Sequence, residues 1–302
     1  MICILALVVF GVLGIFSATH RKIAFEAFDC VFRKITLRKC ETGLDTRLKS
    51  QITGKFLKFN PKTGRFVYKH FEVISWIFTI LFFVSLAYTI VGGVNYYLYG
   101  NCNGPNSDGF CVFDPTGQNS KVTAPDLCVA ENVHKELGLN GFNESVFPVF
   151  NKGAPNKVIF IGCYACEYTR KAYPNIRKLL ERDDVEFIFA HFPVKSQTDY
   201  MSDYVNCIYS IDKNKLIDFN DKTFLADEPL VDEEDVQFVI DELNIDEDEL
   251  NKCLKDKTIK DLHKQQLTEI EKTGIYGTPL VFVNSKPVVG PKPYRVYKRL
   301  LK

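Results

Sequence analysis

A second Cys/His pair at knuckle spacing is missing from this chain, so Cys163 and Cys166 lack the partners that most structural zinc sites need. No loop has EF-hand spacing, although Asp232-Glu-Glu-Asp235 and Asp246-Glu-Asp-Glu249 are wholly acidic. Those two runs suit the first turns of helices, where the helix dipole favours acid. No recognition motif for nucleic acid accompanies the basic stretch near the N-terminus. No basic residue precedes the first apolar run, as a secretory signal peptide requires. These absences set aside calcium binding, nucleic acid and a cleaved leader, and they weaken zinc.

What is present is uneven. The 302 residues carry a net charge of only +1. Residues 18–71 hold 13 basic against 4 acidic side chains, and residues 72–302 hold 25 against 33. Such asymmetry points to separate environments rather than one uniform globule. Residues 1–18 carry no charge and read as a first transmembrane helix with its N-terminus outside. Residues 19–71 read as a basic cytoplasmic loop, with Ile23, Phe25, Phe28, Val31, Phe32 and Ile35 giving an amphipathic helix suited to an anionic bilayer surface. Cys30 and Cys40 in this loop are expected to be reduced. Residues 72–95 read as a second span, followed by Tyr96, Tyr97 and Tyr99 as an interfacial belt. The positive-inside rule then puts everything after the second span outside the cytoplasm.

Residues 96–145 read as an extracytoplasmic, cysteine-containing linker. Cys102 and Cys111 are nine apart in a loop rich in Gly, Asn and Pro, which suggests a local disulfide. A Cys111–Cys128 pairing or a three-cysteine site stays open. Asn143-Glu-Ser145 fits the N-glycosylation pattern on that side of the membrane.

Residues 146–302 read as a compact α/β domain. Val146–Phe150 suits an edge strand, since Pro148 is tolerated there. Lys157–Ile161 and Val185–Phe192 read as central parallel strands joined by a helix from Cys163 to about Glu181, kinked at Pro174. Helices are expected near 201–210, 232–243, 246–255 and 258–273. A hairpin about Asn284-Ser-Lys286 joins Leu280–Val283 to Pro287–Val289, and a helix from about Pro293 closes the chain. Cys163-Tyr-Ala-Cys166 follows the first central strand, the layout of a thioredoxin-type redox site. A helix N-terminus favours a thiolate at Cys163, and Cys166 on the same helical face is placed to close a disulfide.

Three features coincide: Cys163-Tyr-Ala-Cys166 after a strand, Phe189-Ala-His-Phe-Pro193 at the end of the next, and Gly274-Ile-Tyr-Gly-Thr-Pro279 before the hairpin. In this combination residues 146–302 resemble the DsbA-like thiol:disulfide oxidoreductases, a thioredoxin fold with a helical insertion. The resemblance implies Cys163 as attacking thiol, Cys166 as resolving thiol and Pro279 as a cis-proline. The backbone of Thr278 would then pair with an extended substrate segment. It also implies a disulfide between Cys207 and Cys253 in the insertion; two unpaired buried thiols are the alternative.

The pattern also departs from that family. Gly162 stands where thioredoxin itself commonly has an aromatic residue, the strand Val158–Ile161 holds no acid, and Tyr164-Ala165 offers neither proline nor histidine. The direction of electron flow is therefore left open. The whole reads as a membrane-anchored oxidoreductase acting on cysteine-containing proteins, reset by a membrane redox partner, with no cofactor, metal or nucleic acid. A thiol or metal chaperone for an envelope protein is the competing function.

Overall fold

The computed structural model describes residues 2–36, 38, 43–107, 109–124 and 136–302. They divide into two compact units, the first ending at Ile90 and the second starting at Val91.

The first unit is helical. Helix α1 (Ile2–Phe16) is uncharged, and after Ser17 helix α2 (Ala18–Ile35) doubles back along it. Arg21 Nε donates to the Gly14 carbonyl at 3.2 Å. Gly14 permits this approach, because a Cβ there would lie 3.1 Å from Arg21 Cα. Cys3 and Ala6 bury against Ala27, Cys30, Leu44, Leu48 and Phe71. Helix α3 (Leu44–Phe59) gives way at Asn60, whose side chain accepts from Lys62 N–H at 2.9 Å and caps α4 (Pro61–Lys69).

The two expected spans fare differently. At 1.5 Å per residue, α1 covers roughly 23 Å, short of the roughly 30 Å of a bilayer core. Among the described residues one helix is long and apolar enough to cross a membrane, α5 (Phe71–Tyr99). Cys30 is disulfide-bonded rather than reduced. Cys40 and Cys128 lie outside the described residues.

The second unit is built on one sheet. Its strands are β1 (Val149–Phe150), β2 (Asn156–Gly162), β3 (Val185–His191), β4 (Leu280–Val283) and β5 (Lys286–Val289), in the order β1-β3-β2-β4-β5. Strands β2 and β3 are parallel, with Ile159 opposite Ile188 and Gly162 opposite His191. The other pairings are antiparallel. Side chains alternate across the sheet, and both faces are covered. Val158, Phe160, Phe187, Phe189, Val281 and Val283 enter one core, with residues of α6 (Glu167–Leu180), α7 (Met201–Ile211), α8 (Lys213–Leu225), α9 (Glu233–Glu242) and α10 (Glu247–Leu254). Ile159, Ile161, Ile188, Ala190, Leu280 and Phe282 enter the other, with Phe147 and with Ile270 of α11 (Lys257–Lys272). Burial on both faces explains why β2 and β3 are almost unbroken apolar runs.

Three local expectations need correction. The edge strand expected from Val146 begins only at Val149, and residues 144–146 form a 3-10 turn in which Asn143 Oδ1 accepts from Ser145 N–H at 3.1 Å. Helix α6 starts at Glu167, so Cys163 stands in the turn before it and Cys166 is its N-cap. Helix α8 is additional to the expected set: Asp212 caps it through Asn214 N–H at 2.8 Å, and Leu216, Phe219 and Phe224 bury one side.

Two disulfides brace this unit. Cys207–Cys253 joins α7 to α10, and Cys102–Cys111 closes the loop after α5. Helix α12 (Tyr294–Lys298) ends the chain. Arg295 donates to the carbonyls of Tyr96 and Tyr97, and Arg299 to that of Leu98, which satisfies acceptors in the last turn of α5.

Candidate active site

Strand β2 delivers the chain to Gly162 and the cysteine turn follows. A side chain at 162 is excluded, since its Cβ would meet Phe160 Cζ at 2.7 Å and Thr169 Cγ2 at 2.8 Å. Cys166 N–H donates to the Cys163 carbonyl at 3.2 Å, and Arg170 N–H to the Cys166 carbonyl at 3.0 Å, so the turn runs directly into α6. Both cysteines are fully buried and carry free thiols.

Donors converge on Cys163 from three directions. The Cys166 thiol is the foremost, followed by the imidazole of His191 and the backbone N–H of Lys195. The Thr198 hydroxyl lies 3.9 Å from Cys163 Sγ. Burial opposes ionisation, but these hydrogen bonds and the field of His191 prevail, and the Cys163 thiol is held at about 4. Cys166 moves the opposite way. Its bond to Cys163 and its burial push its thiol well above the ordinary range, against smaller contributions from the hydroxyls of Thr278 and Thr123. The pair thus divides into a thiolate and a protonated thiol.

His191 reaches this position through strand register, since it stands opposite Gly162 at the end of β3. Ser202 Oγ, on α7, lies 2.8 Å from His191 Nδ1. A hydroxyl donating there leaves the ring proton on Nε2. Nε2 has no oxygen or nitrogen partner and faces the Cys163 sulfur. Tyr164, between the cysteines, turns inward: its ring stands 4.8 Å from that of His191 and 4.5 Å from that of Phe224, and its hydroxyl donates to Asn220 Oδ1. Burial raises the Tyr164 phenol, so it stays neutral.

The second element of the site is the loop before β4. The Thr278–Pro279 peptide is cis, and the Pro279 carbonyl accepts from Gly290 N–H at 3.0 Å. The buried Thr278 hydroxyl has no oxygen or nitrogen partner and lies against the Cys166 thiol. Its backbone pairs with Thr123: Thr123 N–H donates to the Thr278 carbonyl at 2.8 Å, and Thr278 N–H to the Thr123 carbonyl at 2.9 Å.

Cys163, Cys166, Thr278 and Pro279 therefore meet in one place, while Cys207–Cys253 and Cys102–Cys111 are structural bridges. Among the described residues no group of three or more His, Cys, Asp and Glu side chains is placed to hold a metal.

The thioredoxin family profile matches residues 151–302. The chain belongs to the thioredoxin family. A thioredoxin-fold protein with a Cys-X-X-Cys at this strand-to-helix junction is a thiol:disulfide oxidoreductase. No curated protein matches the chain. Among solved structures, the fold is similar to that of the thiol-disulfide exchange protein alpha-DsbA2 from Wolbachia pipientis: 19% identity over 51% of this chain and 85% of that one, TM-score 0.48. BdbD from Bacillus subtilis is similar at 19% identity over 55% and 95%, TM-score 0.46. The catalytic domain of Proteus mirabilis ScsC is similar at 20% over 53% and 92%, also with TM-score 0.46.

Within this thioredoxin-family site, sequence reading gave no role to His191, Thr198, Ser202 or Thr123. His191 had a usable signal. Parallel pairing of two strands with a common C-terminal end sets the last residue of β3 beside the cysteine turn. Thr198, Ser202 and Thr123 had none, because they arrive from a 3-10 turn, a helix start and a distant loop.

Proposed function

We propose that the protein is a membrane-anchored, extracytoplasmic oxidoreductase that passes its Cys163–Cys166 disulfide to cysteine-containing protein segments. A substrate thiolate attacks Cys163 Sγ, and Cys166 leaves as a thiolate and takes up a proton. A second substrate thiolate then attacks the substrate sulfur of the mixed disulfide. Cys163 departs as the stabilised thiolate, the substrate leaves as a disulfide, and two electrons rest on the cysteine pair. Thr278 offers its backbone to the extended substrate, in the manner of strand addition. A membrane redox partner reoxidises the pair.

The observation that carries the oxidising direction is the ring of donors around Cys163 Sγ. A stabilised thiolate favours the reduced pair, and a pair that favours its reduced form oxidises others. Tyr164-Ala165 is no obstacle, because His191 supplies from β3 the imidazole that the dipeptide lacks.

For topology the reading takes α5 as the single anchor. The first 71 residues carry the basic excess, 13 basic against 4 acidic side chains, and stay in the cytoplasm, and the second unit lies outside. Helix α1, short and folded along the basic α2, stays on the side of α2. The Cys30 disulfide does not reverse this, since disulfides persist inside some cells whereas basic flanks orient spans generally.

A redox titration of the full chain in detergent, with thiols trapped at each potential, tests the function. The expected result is a reversible two-electron couple nearer the roughly −120 mV of DsbA than the roughly −270 mV of thioredoxin. No reversible couple, or full exchange activity in Cys163→Ser, sinks the reading.

A further inference from the structure

The docking edge of Thr278 is already taken. Its N–H and its carbonyl are both bonded to Thr123, in an antiparallel bridge outside every named strand. The neighbouring residues lie flat on the same loop. A Cβ at Gly277 would come within 2.7 Å of Val122 Cγ2 and 2.8 Å of the Thr123 carbonyl oxygen. A Cβ at Gly290 would come within 2.9 Å of the Lys121 carbonyl oxygen. The Thr123 hydroxyl reaches the Cys166 thiol. Both cysteines are sealed at 0% exposure.

The segment is anchored upstream of the site. The Asp114 carboxylate accepts from the N–H groups of Gln118 and Asn119 at 3.2 and 2.9 Å. Lys171 Nζ donates to Gln118 Oε1 at 2.7 Å, and the buried Lys292 Nζ lies 3.2 Å from Ser120 Oγ. The Cys102–Cys111 disulfide closes the loop just before. Beyond the fixed 114–120 stretch, Thr123 bridges antiparallel to Thr278 and its hydroxyl meets the Cys166 thiol, the kind of pairing a substrate peptide makes in strand addition.

Resting on the reading of Thr278 as the substrate edge, we propose that Lys121–Thr123 is an internal stand-in for the substrate. It fills the docking edge in the resting protein, and a cysteine-containing segment pairs there only by displacing it. The incoming segment is therefore an extended peptide antiparallel to residues 277–279 that supplies one N–H and one carbonyl in place of those of Thr123. Small thiols need no backbone pairing with Thr278, so occupation of that edge weighs more on peptides than on them.

The test uses the full chain, oxidised at Cys163–Cys166, and two reductants: glutathione and a short unstructured synthetic peptide with one central cysteine. Thr123→Pro removes the N–H that binds Thr278, whereas Thr123→Ala keeps both backbone bonds. The ratio of peptide rate to glutathione rate should rise about tenfold in Thr123→Pro, the worth of one or two net hydrogen bonds, and stay put in Thr123→Ala. An unchanged ratio in a folded Thr123→Pro chain overturns the proposal.

A second measurement needs no Thr123 variant. In Cys166→Ser the same peptide, supplied as its mixed disulfide with thionitrobenzoate, is trapped when Cys163 attacks the peptide sulfur and thionitrobenzoate leaves, and backbone amide exchange is compared with the free chain. Loss of protection at Thr123, with Thr278 still protected, supports displacement. Retained protection at Thr123 refutes it. A wild-type pair that reacts with neither glutathione nor peptide overturns instead the oxidoreductase reading underneath.

Discussion

Replacing His191 by alanine isolates one interaction that stabilises the Cys163 thiolate. His191 is buried against Cys163 whereas Thr278 lies against Cys166, so its loss acts on the Cys163 sulfur rather than on peptide pairing. A hydrogen bond to a charged group contributes about 1.5–3 kcal/mol. At about 1.36 kcal/mol per pKa unit, its removal should raise the Cys163 thiol by about 1–2 units from its depressed value of about 4. The sign follows from which form is stabilised. A depressed thiol pKa favours the reduced pair at any pH above the ordinary cysteine value, and that advantage fades as pH falls through about 4. Weakening it makes the couple less oxidising. With about 30 mV per 1.4 kcal/mol for two electrons, the shift is about 30–65 mV toward the thioredoxin end. Ultraviolet titration of the thiolate gives the first number, and equilibration against glutathione gives the second. Ser202→Ala should move both the same way by less, since it frees the ring without deleting it. A His191→Ala chain that titrates and equilibrates like the wild type would refute the account of thiolate stabilisation.

Removing the Cys207–Cys253 bridge with a double serine substitution frees a 46-residue loop, and chain entropy puts the loss at about 4 kcal/mol, visible as a lower urea midpoint of the second unit. Gly162→Ala should destabilise by about 1–3 kcal/mol, because Phe160 and Thr169 leave no room for a methyl, and an unchanged midpoint would show that the turn relaxes. On intact cells, a membrane-impermeant amine reagent should label exposed lysines of the second unit such as Lys152 and Lys171 while sparing Lys55 and Lys58, and the reverse pattern would invert the topology.

The sheet was legible because its strands are buried on both faces. Val158–Ile161 and Val185–Ala190 have no solvent side, so hydrophobicity alone marks them. The insertion helices were legible where acid or an apolar stripe marks an end or a face. Helix α8 was not, since its buried face includes the polar Asn220 and Thr223, Asp218 and Asp221 fall between, and its cap is a lone aspartate. Position 163 was misassigned to the helix because the cysteine turn is held by one backbone bond that sequence does not announce. The first apolar run differs from the expected span for another reason. An uncharged run of 18 residues meets the composition of a membrane helix, but the helix ends at Phe16 and folds along α2, which no hydropathy window can see.

The inner dipeptide looked like the undetermined part of the site, and its geometry moves that role elsewhere. A residue between two such cysteines tunes the couple only if its polar atoms face the sulfur. Tyr164 faces away, and its hydroxyl is spent on Asn220. Its ring instead lies tilted against His191 and helps to fix the imidazole, so its effect on Cys163 passes through position rather than charge. The tuning group sits on β3, in the strand register that also aligns Gly162. This separates two properties that a histidine in the turn would join. The thiolate is stabilised from beneath, by the core, while the outer side of the pair is left to Thr278 and the segment that covers it. Reactivity toward small thiols then reports the core side, and selectivity for peptides reports the cover, so a substitution on one side should leave the other observable unmoved.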